Sequence, residues 1–291
     1  MRRSWFVAGL WCALVGGCGQ RRMPYVARVR EAHGVLVSVA AWGPDSLRLE
    51  RAVQGALDSA MSVAAMLSDF GDRPGTRGVS PGLARLVQRA LELARASGGA
   101  FDPTGRNFRA VSVDTARHTV TLPRGLHLEL GEFGRGYALD RALVALRGAA
   151  DSAVISSGGQ FLIHADWSGA RVIGIVDPDN TQRPLARLTI PAGTWAVSTI
   201  SVAEVRDELL DPRTGKPAVR TRVVAAMAPD AADAGGWSTA FYVVGCDTAL
   251  AVAPHVRTSV ICADGGVRWT PDLDGRVTRD SVQSTGVRGE K

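Results

Sequence analysis

An α/β fold of the α+β kind, one domain with mixed sheets and flanking helices, is predicted by three observations on these 291 residues. Short β-branched runs such as 35–42, 223–227 and 258–263 alternate with stretches whose apolar residues recur at helical spacing. No internal repeat and no low-complexity linker divides the chain. A hydrophobic fraction of 46% with 21% charged residues is ordinary globular composition, and the length is enough for a large core.

Taken in order, residues 35–42 are apolar and β-branched and predict a first strand. Leu49, Val53, Leu57, Met61 and Ala64 fall at helical spacing, so a helix spans about 47–67. Residues 71–78 form a Pro/Gly loop. Ser80 is a cap followed by Pro81 at the first helical position, and Leu83, Leu86, Val87, Ala90, Leu91 and Ala94 make one face until Gly98-Gly99 stops the helix. Asp102 precedes Pro103 and is held extended. Short strands are expected at 118–122 and 126–130, around Pro123-Arg124-Gly125, and again at 171–176, 188–190, 195–198 and 223–227. Residues 230–236 read as a small acidic loop leading into a helix at Trp237. Segments 258–263 and 267–269 read as a hairpin around Asp264-Gly265-Gly266. The stretch 271–291 is polar, with few large apolar residues, and is expected to be disordered.

The stretch that organises the chain runs from Leu128 to Ile163. Gly131, Gly134 and Gly136 are expected to turn the backbone sharply and bring it close to a ligand. A helix starting near Tyr137 would aim its N-terminal N–H groups back at that loop, where an anion is favoured. Arg135 adds a fixed positive charge. A strand at 154–157 then ends in Gly158-Gly159, a second run of bare backbone. Together these describe a phosphate-bearing ligand held between two glycine turns, although most single glycine loops are only tight turns. The spacing is not that of the usual dinucleotide fingerprint, and no GxxxxGK[ST] occurs.

The formal charge is +6, and lysine occurs only at 216 and 291, so the excess is arginine. Those arginines are scattered rather than striped along one helix, which argues against nucleic acid as a partner. At the N-terminus, Arg2 and Arg3 precede an apolar run from Trp5 to Val15 and then Gly16-Gly17-Cys18. That is a secretory signal too short to span a membrane, and its small-small-Cys ending resembles a bacterial lipoprotein box. Residues 1–17 are therefore expected to be cleaved, with Cys18 lipidated, 18–34 a tether, and the protein exported to the cell envelope and held on a membrane. The alternatives are plain cleavage with an incidental cysteine and an N-terminal anchor left uncleaved. Of the remaining cysteines, Cys246 and Cys262 are open to a disulfide in an exported compartment or to two buried thiols. Neither has metal-ligand company, and the five histidines are dispersed, which excludes a zinc site.

The series Phe101-Asp102-Pro103-Thr104, the 131–140 segment, Gly158-Gly159, Asp211-Pro212-Arg213-Thr214-Gly215 and Ser238-Thr239-Ala240 resembles the ApbE family of FAD:protein FMN transferases. The likeness covers nearly all of 35–270. It implies a flavin-transferase domain that binds FAD and a magnesium ion (Mg2+), moves FMN onto a threonine hydroxyl of an exported flavoprotein, and releases AMP. Relatives that hydrolyse FAD to FMN and AMP, and a non-catalytic flavin carrier on the same scaffold, are the alternatives. The FAD-contacting positions it implies are Ala100, Phe101, Asp102, Gly134, Asp140, Gly158, Gly159, Thr199, Asp211 and Arg213. Metal ligands are implied at the main-chain oxygen of Leu143 and at Thr239. Arg135 stands where the family usually has lysine, on the phosphates, and Glu208 where it usually has a histidine, a candidate base. The aspartate expected four residues before Thr239 is Gly235 here, which leaves Asp233 as the stand-in metal ligand.

Overall fold

The computed structural model describes residues 23–32, 35–70, 74–165, 171–205, 209–218 and 221–280. The signal segment, Cys18 and Glu208 lie outside the described residues. Among the described residues the α-helices are α1 (Ser46–Phe70), α2 (Pro81–Ala96), α3 (Gly131–Leu146), α4 (Val202–Val205), α5 (Ala231–Val244) and α6 (Cys246–Val252). Eight antiparallel strands form the central sheet, and their order across it follows their order in the chain: Tyr25–Ala32, Val35–Trp42, Ser152–Ser157, Gln160–Ala165, Gly193–Ser201, Val223–Ala228, Ser259–Ala263 and Val267–Trp269.

Strand alternation divides the core into layers. On one face Val39, Ala153, Ile155, Leu162 and Ala196 pack against Leu49, Val53 and Leu57 of α1 and Leu139, Ala142 and Leu146 of α3. On the other, Ile163, Val197, Ala225, Met227 and Ile261 meet a second sheet through Ile175, Leu188 and Ile190. That sheet pairs Arg171–Asp177, Asn180–Ile190 and Val277–Arg279. A third cluster gathers α2, α5 and the 100–130 segment around Phe108, Phe133 and Phe241. The α+β architecture with several sheets and flanking helices is the one predicted, but among the described residues every strand pair is antiparallel, so the sheets are not mixed in direction.

Several expectations need correction. The stretch assigned to a tether contains the strand Tyr25–Ala32, a full partner of Val35–Trp42 with Val26 buried against the core. Its interleaved arginines hid the alternation. The tail is ordered through residue 280: Val277–Arg279 pairs with Ala186–Leu188, and Leu273 and Val277 are buried. Residues 75–78, read as loop, are an edge strand on Thr119–Leu122. Leu126, Leu128 and Leu130 alternate into the core as a strand would, yet form no ladder, because the Glu129 N–H goes to Pro103 O at 2.7 Å. The two stretches read as glycine and acidic loops, 131–136 and 230–236, are the first turns of α3 and α5.

Other readings agree with the structure. Ser80 caps α2, its Oγ accepting the Leu83 N–H, with Pro81 in the first turn. Gly98 and Gly99 end that helix at positive φ, +62° and +82°. Of the two states left open for the cysteines, the structure holds the disulfide, Cys246 to Cys262, with a Cα–Cα distance of 5.6 Å and a sequence separation of 16. It ties the start of α6 to the sheet. Closing a loop of that length is worth about 3 kcal/mol in the chain-entropy account. The Cys246→Ser/Cys262→Ser double variant is expected to lose about that much in a urea titration.

Candidate functional site

The site is built where α3 and α5 cross over the middle of the central sheet. The two helices run antiparallel and touch through main chain. A Cβ on Gly136 would stand 2.0 Å from Ala231 O, and one on Gly235 would stand 2.3 Å from Glu132 O. Residues 132 and 136 are one helical turn apart, as are 231 and 235, so the contacts are reciprocal. Gly136, read as a turn former, therefore serves close packing of two helices, while Gly134 faces Leu130 and Leu67 and Gly131, at φ +48°, turns the backbone as expected. One turn further, Asp140 accepts the N–H groups of Ala231 and Ala232 at 2.8 and 3.0 Å, capping α5 from outside. Burial, with Asp230 nearby, pushes the Asp140 carboxyl up to about 7 against the pull of those N–H groups and Arg89.

Below the crossing lies a polar seam. Ser157 faces Gln160 across one strand pair, and Gln160 faces Ser198 across the next. Ser198 Oγ lies 2.9 Å from Ser238 Oγ, whose hydroxyl donates to Gly235 O, as does Thr239 Oγ1 at 3.1 Å. Gln160 Nε2 donates to the Glu132 carbonyl at 2.7 Å and to its carboxylate at 2.8 Å. The carboxylate also meets Arg135 Nη1 at 2.8 Å. Burial raises the Glu132 pKa, opposed by Arg135 and Gln160. Gly158 has φ +56°, and a Cβ there would fall 2.7 Å from Arg135 Nη1. Thr199 Oγ1 donates to Gly159 O at 2.9 Å, and Glu204 Oε1 approaches the same glycine. Arg135, Gly158, Gly159, Thr199 and Thr239 are thus brought together with Glu132 and Gln160, two residues that sequence reasoning passed over. Their signals were an acid in a helix first turn and an amide at the start of an apolar strand.

A second group adjoins it. Phe101 packs on Phe133 of α3 with ring centroids 5.8 Å apart, and a Cβ on Gly99 would lie 3.7 Å from Arg213 Cγ. Asp211 and Arg213 form a two-point pair, Nε to Oδ1 and Nη2 to Oδ2 at 2.8 Å each. A cavity of about 670 Å³ opens between Leu67 and Ser68 of α1, Thr104, Arg106 and residues 127–129. A smaller apolar one of about 210 Å³ runs from Leu67 past Gly134 and Arg135 to Ser157.

Other assigned positions fall elsewhere. Ala100 and Phe101 are buried, so their side chains belong to the core. Both Asp102 oxygens are taken locally, by Thr104 N–H and Oγ1 and by Phe108 N–H, so it shapes the turn. Leu143 lies eleven residues along α3 from Glu132, about 16 Å by helix rise, and far from Thr239's neighbours. Asp233 does not reach Thr239: α5 is unbroken, six residues turn its side chain away, and it pairs with Arg89 of α2 at 2.6 Å. Among the described residues no group of three His, Cys, Asp or Glu is placed to hold a metal alone.

The family model described as the ApbE family matches residues 105–262, more than half the chain. The chain belongs to the ApbE family. A relative from Treponema pallidum (strain Nichols), named FAD:protein FMN transferase, is 28% identical over 94% of this chain and 95% of that protein. Among solved structures, the ApbE protein of Thermotoga maritima superposes with a TM-score of 0.75 at 21% identity, covering 87% of this chain and 99% of that one. The flavin transferase ApbE of Vibrio cholerae gives 0.70 at 16% identity, with coverage of 87% and 99%. These superpositions agree with the ApbE fold described above, and the match with the Treponema protein extends along almost the whole of both chains.

Proposed function

We propose that the chain transfers FMN from FAD onto a threonine hydroxyl of an exported flavoprotein, releasing AMP, with Mg2+ bound beside the diphosphate. The observation that carries this reading is the convergence of Arg135, the Gly158-Gly159 turn, Thr199 and Thr239 at the α3–α5 crossing. The names of the Treponema and Vibrio relatives support it. Arg135 would take one phosphate, and the α3 N-terminus, which has no side-chain cap, offers N–H groups to the same charge. The 670 Å³ cavity has the size of a site for a large ligand. Magnesium asks for oxygen donors, usually one or two carboxylates plus waters and substrate phosphates. The seam offers oxygens of that kind, with Thr239 on the metal side. When bound, the ion would offset charge developing on the phosphoryl oxygens. Anchorage of the exported protein through Cys18 belongs to the same reading, and the Cys246–Cys262 disulfide suits an oxidising compartment.

Gly235, which brings no carboxylate to α5, favours a second reading, a flavin carrier without turnover. Incubation of the purified chain with FAD, Mg2+ and a threonine-bearing acceptor separates the two. Transfer is expected to yield AMP and a covalently fluorescent acceptor, and Thr239→Ala to slow AMP release by at least tenfold. Tight FAD binding with no AMP would establish the carrier, and AMP without a labelled acceptor would establish plain hydrolysis.

A further inference from the structure

We propose that Glu132 on α3 supplies the carboxylate that α5 lacks at Gly235, and that with Gln160 Oε1 and Thr239 Oγ1 it forms a divalent-cation site, held in the resting protein by the guanidinium of Arg135. The inference deepens the transferase reading and rests on it for the identity of the cation.

Four observations carry it. No side chain fits at position 235, since its Cβ would stand 2.3 Å from Glu132 O and 2.6 Å from Gln160 Nε2. The space a ligand on α5 would need is filled by the Glu132–Gln160 pair. Two of the three oxygens of Glu132, the carbonyl and the carboxylate Oε2, accept from Gln160 Nε2, which fixes the carboxylate in place. Gln160 is 1% exposed, and its amide oxygen has no hydrogen-bond partner among the described residues. Flipping the amide does not satisfy it, because the nitrogen is committed to two oxygens of Glu132. A buried acceptor of this kind normally finds a donor or an ion. Finally, Arg135 Nη1 sits 2.8 Å from Glu132 Oε1 while lying against the bare Gly158 turn. A diphosphate arriving on that turn offers Arg135 a better-matched anion, and the carboxylate it leaves is then free for the metal. Arginine and metal thus compete for one carboxylate, and the diphosphate decides between them.

The test is Mn2+ binding to the purified full-length chain, read from loss of the free-ion electron paramagnetic resonance signal, with and without ADP. Glu132→Gln is expected to weaken Mn2+ binding at least tenfold. Arg135→Gln is expected to tighten it several-fold without ADP, an opposite sign that no merely structural role produces. Circular dichroism checks folding, and should Glu132→Gln fail to fold, Arg135→Gln decides alone. Unchanged binding in Glu132→Gln, unchanged or weaker binding in Arg135→Gln, or a wild type that binds no Mn2+ in either condition overturns the proposal. The same samples are assayed for AMP from FAD. Glu132-dependent Mn2+ binding without turnover would leave the cation site standing and remove the transferase reading. Turnover with Mn2+ binding indifferent to Glu132 would do the reverse.

Discussion

Gly136→Ala is expected to leave little folded protein. The added Cβ would lie 2.0 Å from Ala231 O, 2.3 Å from its carbonyl carbon and 2.6 Å from Ala232 N. All three are main-chain atoms of a helix, so no rotamer change relieves the overlap, and α3 and α5 must part. Parting them breaks the Asp140 cap and the contact at Gly235 together. A loss of about 4 kcal/mol or more is anticipated, at the large end of single substitutions. Gly235→Asp, which restores the acid that the motif resemblance implies there, is expected to fail in the same way rather than to improve metal binding. Gly55 is the control: it lies in α1 with nothing within 4 Å of a Cβ, so alanine there should stabilise by about 1 kcal/mol through helix propensity. Urea titrations of the variants check all three. A Gly136→Ala protein with wild-type stability would refute the main-chain contact.

Asp140→Ala should produce the second large loss, and one that depends on pH. The carboxylate satisfies two N–H groups at the start of α5, and stranding two such donors costs about 2–4 kcal/mol. The folded carboxyl titrates at about 7 against an ordinary 3.8, with burial as the leading cause. Below about pH 4 the proton is held in both folded and unfolded chains, and the group's contribution is complete. As pH rises toward 7 the unfolded chain releases its proton first, so that proton-linked contribution declines by about 1.4 kcal/mol per unit, and above 7 only the hydrogen-bond part remains. The stability difference between wild type and Asp140→Ala is therefore expected to be larger at pH 5 than at pH 8. A difference that grows with pH would reverse the assignment.

What could be read from the sequence, and what could not, follows from where the physics is local. The Ser80-Pro81 helix start, the α1 face and the 259–269 hairpin depend on caps, periods and turns that short stretches carry by themselves. The two helix starts at the site did not show. Glycine is a poor helix former, and Gly134, Gly136, Gly235 and Gly236 read as loop until each is seen to face another backbone or a packed side chain. That knowledge is tertiary. The same blindness moved the metal assignment to Asp233, since a loop could have swung it toward Thr239 where an intact helix holds it on Arg89. The pairing of Glu132 with Gln160 spans 28 residues and two elements, and no spacing rule pointed to it. Motif resemblance did find Arg135, Gly158, Gly159, Thr199 and Thr239, which the fold gathers in one place.

The bare contact between α3 and α5 also limits how this molecule can adapt. Where helices meet through side chains, a swap of leucine for valine shifts one against the other by a fraction of an ångström, and a pocket between them is easily retuned. Here peptide groups themselves set the separation, so the spacing of the two helices at Gly136 and Gly235 has almost no adjustable part. On the transferase reading, changes in ligand preference would then come from the rim, at residues 102–106 and 127–129 and at the Asp211–Arg213 hairpin, while the centre stays the same width.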